Sequence, residues 1–236
     1  MNTMPRLVTA ELLDGLAPAD PRARRSRRDL RRIHRVMRSV SVLRKGIARL
    51  GFAAAPRRII ELGAGDGSLL LRLARTLHRQ WIGVEVTLLD RHDLVTAETR
   101  AQFGRLGWSV RTLQTDVLDW ALAPAAEHYE LGLATLFLHH FDGNDLQLLL
   151  SALARQTDAF VACEPRRDAF ARLGSRLVAL LGAGAVTRAD AVKSVAAGFS
   201  GRELTMGWPD AGGAWRCDES FAWPFTHYFS AARHAG

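Results

Sequence analysis

Cysteine is scarce in this chain of 236 residues: Cys163 and Cys217 stand far apart, and neither belongs to a CxxC or Cys/His ligand pattern. That excludes a disulfide-stapled scaffold and a structural zinc module, fits a reduced compartment, and sets the expectation of no metal. No apolar run approaches the ~18 to 20 residues of a membrane span. The opening MNTMPRLVTAELLDG lacks the apolar stretch of a signal peptide. Internal repeats are missing, and so is any low-complexity tract other than one arginine cluster. The expectation is a cytoplasmic protein long enough to bury a sizeable core without covalent staples.

Acid is nearly missing from one segment. Residues 21–49 hold eleven Arg, Lys45 and a single acid, Asp29, a local balance of +11 against +8 for the whole chain. The remainder is net negative, so basicity belongs to a segment and not to the fold. The first twenty residues, with Pro5 and Pro18, read as a loosely ordered arm with one short helix over Thr9 to Leu16. From Ser26, apolar Leu30, Ile33, Met37, Val40, Leu43, Ile47 and Leu50 recur at steps of three and four, which predicts one long helix closed by Gly51.

Beyond Gly51 the chain alternates between two periodicities. Short apolar strands are expected at Arg58 to Leu62, Val84 to Leu89, Val110 to Gln114, Leu131 to Phe137 and Phe160 to Glu164. Helices are expected at Ser68 to His78, Asp93 to Leu106 and Asn144 to Gln156. This order implies an α/β, doubly wound, mostly parallel sheet, with its ligand crevice at the carboxyl ends of the first strands. Arg167 to Leu181 reads as helical, and Thr187 as the N-cap of a helix reaching Gly198. The tail reads as two strands joined near Pro224. Eight of the eighteen aromatics lie after residue 198, the composition of a packed terminal hairpin with one or two rings facing a ligand.

The turn in IIELGAGDGSLLLRLA carries the chemistry. It has no lysine followed by Ser/Thr, so it is not a phosphate-gripping P-loop. Its spacing is G-x-G-x-G, where a dinucleotide fingerprint needs G-x-G-x-x-G, and Asp66 would repel a pyrophosphate. With Glu61 beside it, the crevice suits a ligand carrying ammonium or sulfonium charge. Asp90 ends the second strand, placed to accept ribose hydroxyls, and Asp116 follows the third, placed to accept from an adenine amino group.

The stretches IIELGAGDG, VTLLD, TDVLDW and LATLFLHHF, in that order, resemble the successive motifs of class I S-adenosylmethionine-dependent methyltransferases, and LFLHHF is similar to the ubiquinone/menaquinone-type small-molecule enzymes among them. The arginine-rich start and the tail FTHYFSAAR resemble methyltransferases of polyketide or alkyl-phenol pathways. The resemblance implies a seven-stranded sheet over residues 56–236 with a helical lid over residues 1–55. It implies that Gly63, Ala64, Gly65 and Gly67 let the backbone approach the methionine moiety of S-adenosyl-L-methionine, with Glu61 and Asp66 near its amino group. Asp90 and Arg91 then meet the ribose and adenine, and Asp116 with Val117 the adenine.

The Asn/Asp-Pro-Pro-aromatic element of enzymes that methylate nucleobase amines is missing after the fourth strand, which disfavours that acceptor. His139 and His140 stand at the crevice mouth, where a neutral imidazole takes a proton from a phenol; the reading that one caps a helix and the other packs in the core stays open. Glu164 and Arg166 after the fifth strand, His227 or Tyr228 on the last, and Met37 on the inner stripe are the candidate acceptor contacts. The resulting expectation is O-methylation of a small phenolic or quinone-like acceptor. The arginine segment is open to three uses: a solvated cover, contact of residues 22–49 with an anionic membrane surface, or an RNA grip. The absence of aromatics among the arginines weakens the last. An RNA methyltransferase and a non-catalytic cofactor-binding module are the rival functions.

Overall fold

A computed structural model describes residues 4–209 and 213–234; residues 1–3, 210–212 and 235–236, parts of the expected arm and tail, lie outside the described residues. Two basic helices, α1 (Pro21–Val36) and α2 (Ser39–Leu50), precede the sheet. Strands β1 (Arg58–Leu62), β2 (Glu85–Asp90), β3 (Ser109–Gln114), β4 (Leu131–Thr135) and β5 (Ala159–Pro165) alternate with α3 (Ser68–Leu77), α4 (Ala97–Arg105), α5 (Val117–Leu122) and α6 (Gly143–Gln156). Then come α7 (Ala169–Arg176), α8 (Ala185–Ala197), α9 (Glu203–Gly207) and the hairpin β6 (Trp215–Ala222) and β7 (Thr226–Arg233).

The seven strands run in the order β3-β2-β1-β4-β5-β7-β6, with only β7 pairing antiparallel to its neighbours β5 and β6. β4 and β5 are buried at every position, as parallel central strands covered on both faces must be. Leu43 and Ile47 of α2, with Leu70, Leu73 and Leu77 of α3, cover one face. Trp120 of α5 with Leu149, Leu150 and Leu153 of α6 covers the other. The chain reverses direction across the sheet between β1 and β4, and the crevice opens at the carboxyl ends of these strands.

Several boundaries differ from the sequence reading. The single long helix is two. Arg38 adopts φ 56°, left-handed backbone that a helix cannot propagate, so the chain bends between α1 and α2 while the apolar stripe continues across the bend. α1 begins at Pro21, with the Asp20 side chain accepting from Arg22 N, earlier than the apolar pattern begins. In the arm only Leu13–Gly15 form a helical turn, of 3-10 type. Thr187 is not the cap: the N-cap of α8 is Gly184, three residues earlier, and the Thr187 hydroxyl donates to Asp29 at 3.1 Å, bringing α8 onto α1. β4 stops at Thr135, two residues short of expectation, because Leu136 turns to φ 54°. α5 and α9 were not anticipated from the sequence; each is six residues or fewer, too short for a periodic signal.

Candidate active site

The glycine turn follows β1 directly. Gly63, Gly65 and Gly67 have φ of 63°, 55° and 70°, a succession that residues with a Cβ rarely adopt. At Gly63 space demands glycine as well, since a Cβ would lie 2.2 Å from the Phe137 ring. At Gly65 a Cβ would meet nothing within 4 Å, because this residue faces an open cavity. That cavity, of about 890 Å³, lies over the carboxyl ends of the strands and runs under the N-terminal segment.

Its polar end is built by the loops after β1, β2 and β3. Asp90 accepts from Gly65 N at 2.9 Å and from His92 N at 3.0 Å, which locks the glycine turn to the tip of β2. Asp116 caps α5 by accepting from Leu118 N at 2.8 Å. Asp66 accepts from Ser68 N at 3.1 Å and pairs with Arg31 of α1 at 2.9 Å, so the basic helix is tied down onto the turn. Glu61 is buried at the end of β1. Burial first, then the charges of Asp66 and Asp90, push its pKa up to about 8. Its Oε2 and the Thr135 Oγ1 are buried without a hydrogen-bond partner among the described residues, and both residues line this cavity.

The far end is apolar, walled by Leu30, Ile33 and Met37 from the first helix and its end, Val178 and Leu181 from the turn after α7, and Phe225 between β6 and β7. Between the two ends stand the histidines. Leu136 is held in its left-handed conformation by its own N–H, which donates to Cys163 O at 3.0 Å. Beyond it Glu164, fully buried, accepts from the backbone N–H groups of Phe137, Leu138 and His139 and from His139 Nδ1 at 2.8 Å. One carboxylate thus organises the whole loop after β4.

His139 Nε2 lies 3.4 Å from Glu11 Oε1. Burial alone would lower the His139 pKa, but the hydrogen bonds to Glu11 and Glu164 outweigh it and raise it to about 9. At neutral pH His139 is an imidazolium wedged between two carboxylates, a donor and not a base. His140 pairs through Nδ1 with Asp14 Oδ2 at 3.3 Å and keeps more exposure than His139. One atom from each of Glu11, His139 and His140 lies within 4.8 Å of the others.

The arm that carries Glu11 and Asp14 crosses the mouth of the cavity. Leu12 N and Leu13 N donate to the Asp190 carboxylate at 2.7 and 3.0 Å, Lys193 Nζ donates to Ala10 O at 2.6 Å, and Leu7 N donates to Ala196 O at 3.1 Å. Arg91 also reaches the arm, at Asp14 Oδ1, 3.1 Å away.

Of the residues singled out from the sequence, Glu61, Gly63, Ala64, Gly65, Asp66, Asp90, Arg91, Asp116, Val117, His139, His140 and Met37 all line this one cavity. Gly67 does not; it caps α3 against Leu88. Glu164 sits beneath the cavity, behind His139. Arg166 pairs with Asp168 at 2.7 Å and lies over the Phe221 ring, away from it. The expectation that His227 or Tyr228 faces an acceptor gives way to packing: His227 Nε2 lies 2.6 Å from Glu219 in a buried pair, and Tyr228 fills the core against Gly46 of α2. β7 is paired on both edges and buried on both faces, so neither side of it is open. Missed altogether were Glu11, Asp14, Arg31, His34, Thr135 and Asp190. Burial holds His34 neutral, down at about 4. Asp14 is followed by Gly15, a turn signal that conceals its partner; the others carry no local signature.

Residues 59–158 match the family model described as a methyltransferase domain. No curated protein sequence matches the chain. Among solved structures, the plantazolicin methyltransferase BpumL in complex with SAH is 14% identical, with 92% of each chain covered and a TM-score of 0.67. The plantazolicin methyltransferase BamL, in complex with a triazolic desmethylPZN analog and SAH, is 12% identical over 91% of each chain, with a TM-score of 0.65. Magnesium protoporphyrin IX methyltransferase (ChlM) from Synechocystis PCC 6803 with bound SAM is 14% identical over 94% of this chain and 88% of that one, with a TM-score of 0.50. At such identities the likeness establishes the fold, which is that of class I methyltransferases. Residues 59–158 are thus a methyltransferase domain carried on that fold.

The residues lining the cavity fit S-adenosylmethionine on their own chemistry: the unpartnered Glu61 oxygen and Asp66 would hold its cationic amino group, Gly65 leaves room for close approach, and Asp90 and Asp116 would accept from its nucleoside. Among the described residues no helix is long and apolar enough to cross a membrane.

Proposed function

We propose that this protein is an S-adenosylmethionine-dependent methyltransferase that acts on the hydroxyl oxygen of a small, mainly apolar acceptor of phenolic or quinol type, with the segment up to residue 55 as the cover of the site. The observation that carries this reading is the division of the cavity: carboxylates at the glycine turn, apolar side chains at the far end, and His140 with Asp14 between them.

S-adenosylmethionine, when bound, supplies an electrophilic methyl on a sulfonium, so the protein's task is alignment and removal of one proton. Leu30, Ile33, Met37 and Phe225 hold an apolar ring and exclude water. With Nδ1 hydrogen-bonded to Asp14, His140 presents Nε2 as its basic nitrogen. As the acceptor oxygen gains the methyl group, Nε2 takes the hydroxyl proton and the Asp14 carboxylate stabilises the imidazolium. His139 stays protonated throughout. It fixes Glu11, and through it the arm, over the mouth.

Incubation with S-adenosylmethionine and a panel of alkyl phenols, quinols and amines tests the reading by mass spectrometry and NMR of the product. The expected product is a methyl ether. His140→Ala slows turnover by about 10² or more, the usual contribution of a general base, while affinity for S-adenosylhomocysteine is retained. A product methylated on nitrogen or carbon, or wild-type turnover by His140→Ala, overturns it.

A further inference from the structure

One face of the molecule is both basic and greasy. On α7 and the turn Leu177–Leu181 that follows it, Phe170, Leu173, Leu177 and Leu180 are 52%, 55%, 48% and 80% exposed. Their spacing of three and four residues sets them along one outward ridge. Arg172 and Arg176 stand exposed among them, and between residues 169 and 189 there is no acid. The ridge adjoins the outer face of α1, where Arg24, Arg28, Arg32 and Arg35 are exposed, and Arg25 Nη2 donates to Gly182 O at 3.3 Å where the two elements meet. The inner face of α1, with Arg27 and Arg31, lines the cavity, and Arg24, Arg28, Arg32 and Arg35 lie outside that lining. Leu177, Leu180 and Leu181 are at once part of the ridge and part of the cavity wall.

We propose that this ridge and the outer face of α1 dock the enzyme on an anionic lipid surface, and that the apolar acceptor enters the cavity from that surface past Leu177, Leu180 and Leu181. The proposal rests on the reading that the acceptor is apolar. Charge and greasiness select the partner together. Arginines alone suit any polyanion, but leucines set outward among them lose water only against acyl chains, and a phosphate backbone offers them nothing. An apolar substrate held in lipid reaches the site across a continuous apolar rim and never crosses water. Near an anionic surface each arginine contributes roughly a fivefold gain in partitioning, so the outer face of α1 adds to what the ridge buries.

Co-sedimentation of the full chain with vesicles of phosphatidylcholine alone, of phosphatidylcholine mixed with phosphatidylglycerol, and, in parallel, gel-shift with a structured RNA, test the proposal. The protein is expected to pellet with the mixed vesicles, weakly or not at all with the neutral ones, and less as salt rises. Leu173→Glu and the double variant Arg24→Glu/Arg28→Glu touch neither cavity nor cofactor residues. Each is expected to weaken binding to mixed vesicles by about tenfold or more while titrating S-adenosylhomocysteine like the wild type, which shows that they fold. Failure to bind the mixed vesicles, wild-type vesicle binding by Leu173→Glu, or tight RNA binding with vesicles ignored each overturns it. If vesicles are ignored while a soluble phenol is still methylated on oxygen, only this inference falls. If vesicles are bound while the methyl lands on another atom, the functional reading falls instead.

Discussion

Glu61→Gln separates the electrostatics of the site from its shape. Glu61 is 3% exposed, and its pKa is pushed from 4.5 to about 8 by burial and by the neighbouring Asp66 and Asp90. At about 1.4 kcal/mol for each tenfold change in proton affinity, that amounts to about 5 kcal/mol favouring the protonated form in the folded chain. Below 4.5 the group is protonated in both folded and unfolded chains and costs nothing. Between 4.5 and about 8 the unfolded chain sheds the proton and the folded chain keeps it, so stability falls as pH rises; above about 8 the penalty is complete. Glutamine copies the neutral carboxyl and does not titrate. Urea unfolding from about pH 5 to about pH 9 is therefore expected to show the wild type losing several kcal/mol relative to Glu61→Gln. On the proposed function a bound cation draws Glu61 into its ionised form, so binding of S-adenosylmethionine is expected to release a proton. Below about pH 8 its affinity rises with pH, by up to about tenfold per pH unit, and this slope vanishes in Glu61→Gln. Titration calorimetry in buffers of different ionisation enthalpy measures the proton directly. Stability curves of wild type and variant that run parallel over the whole pH range refute the reasoning.

Three further substitutions probe how the loops are held. Asp90→Ala removes the acceptor for both Gly65 N and His92 N and is expected to weaken S-adenosylhomocysteine binding by about tenfold or more, read by calorimetry; unchanged affinity counts against the site. Glu164→Ala leaves three backbone N–H groups and the His139 imidazolium buried without their acceptor, and should cost about 3–5 kcal/mol in urea unfolding. Gly63→Ala meets both a φ of 63° and the Phe137 ring at 2.2 Å; a loss of about 1–3 kcal/mol from strain is expected, with cofactor binding lost, and wild-type binding by this variant would show that the turn is not built as described.

What could be read in the sequence was whatever is written locally. The five parallel strands and α3, α4 and α6 announce themselves through apolar period and glycine, and Asp90 and Asp116 through their places after strands. What escaped is what depends on pairing across long stretches of chain. Glu11 meets His139 from 128 residues away, and Asp190 takes Leu12 N from 178 residues away. No window over either partner contains the other. The same limit explains the bend at Arg38. α1 must face the cavity with Leu30 and Ile33 while α2 faces the sheet with Leu43 and Ile47, and the reason for a break lies in the position of the sheet and not in residues 36–39. It also explains the histidines. Two adjacent imidazoles look interchangeable as a string, and a sequence has no means to say which one a buried carboxylate holds. Glu164 beneath the loop and Glu11 above it make His139 a cation, so under the proposed function the role of base falls to His140, beside Asp14 brought in by the arm. On that reading the arm does more than cover the site: without residues 11–14, His140 has no carboxylate partner and the His139 imidazolium has lost one of its two anchors.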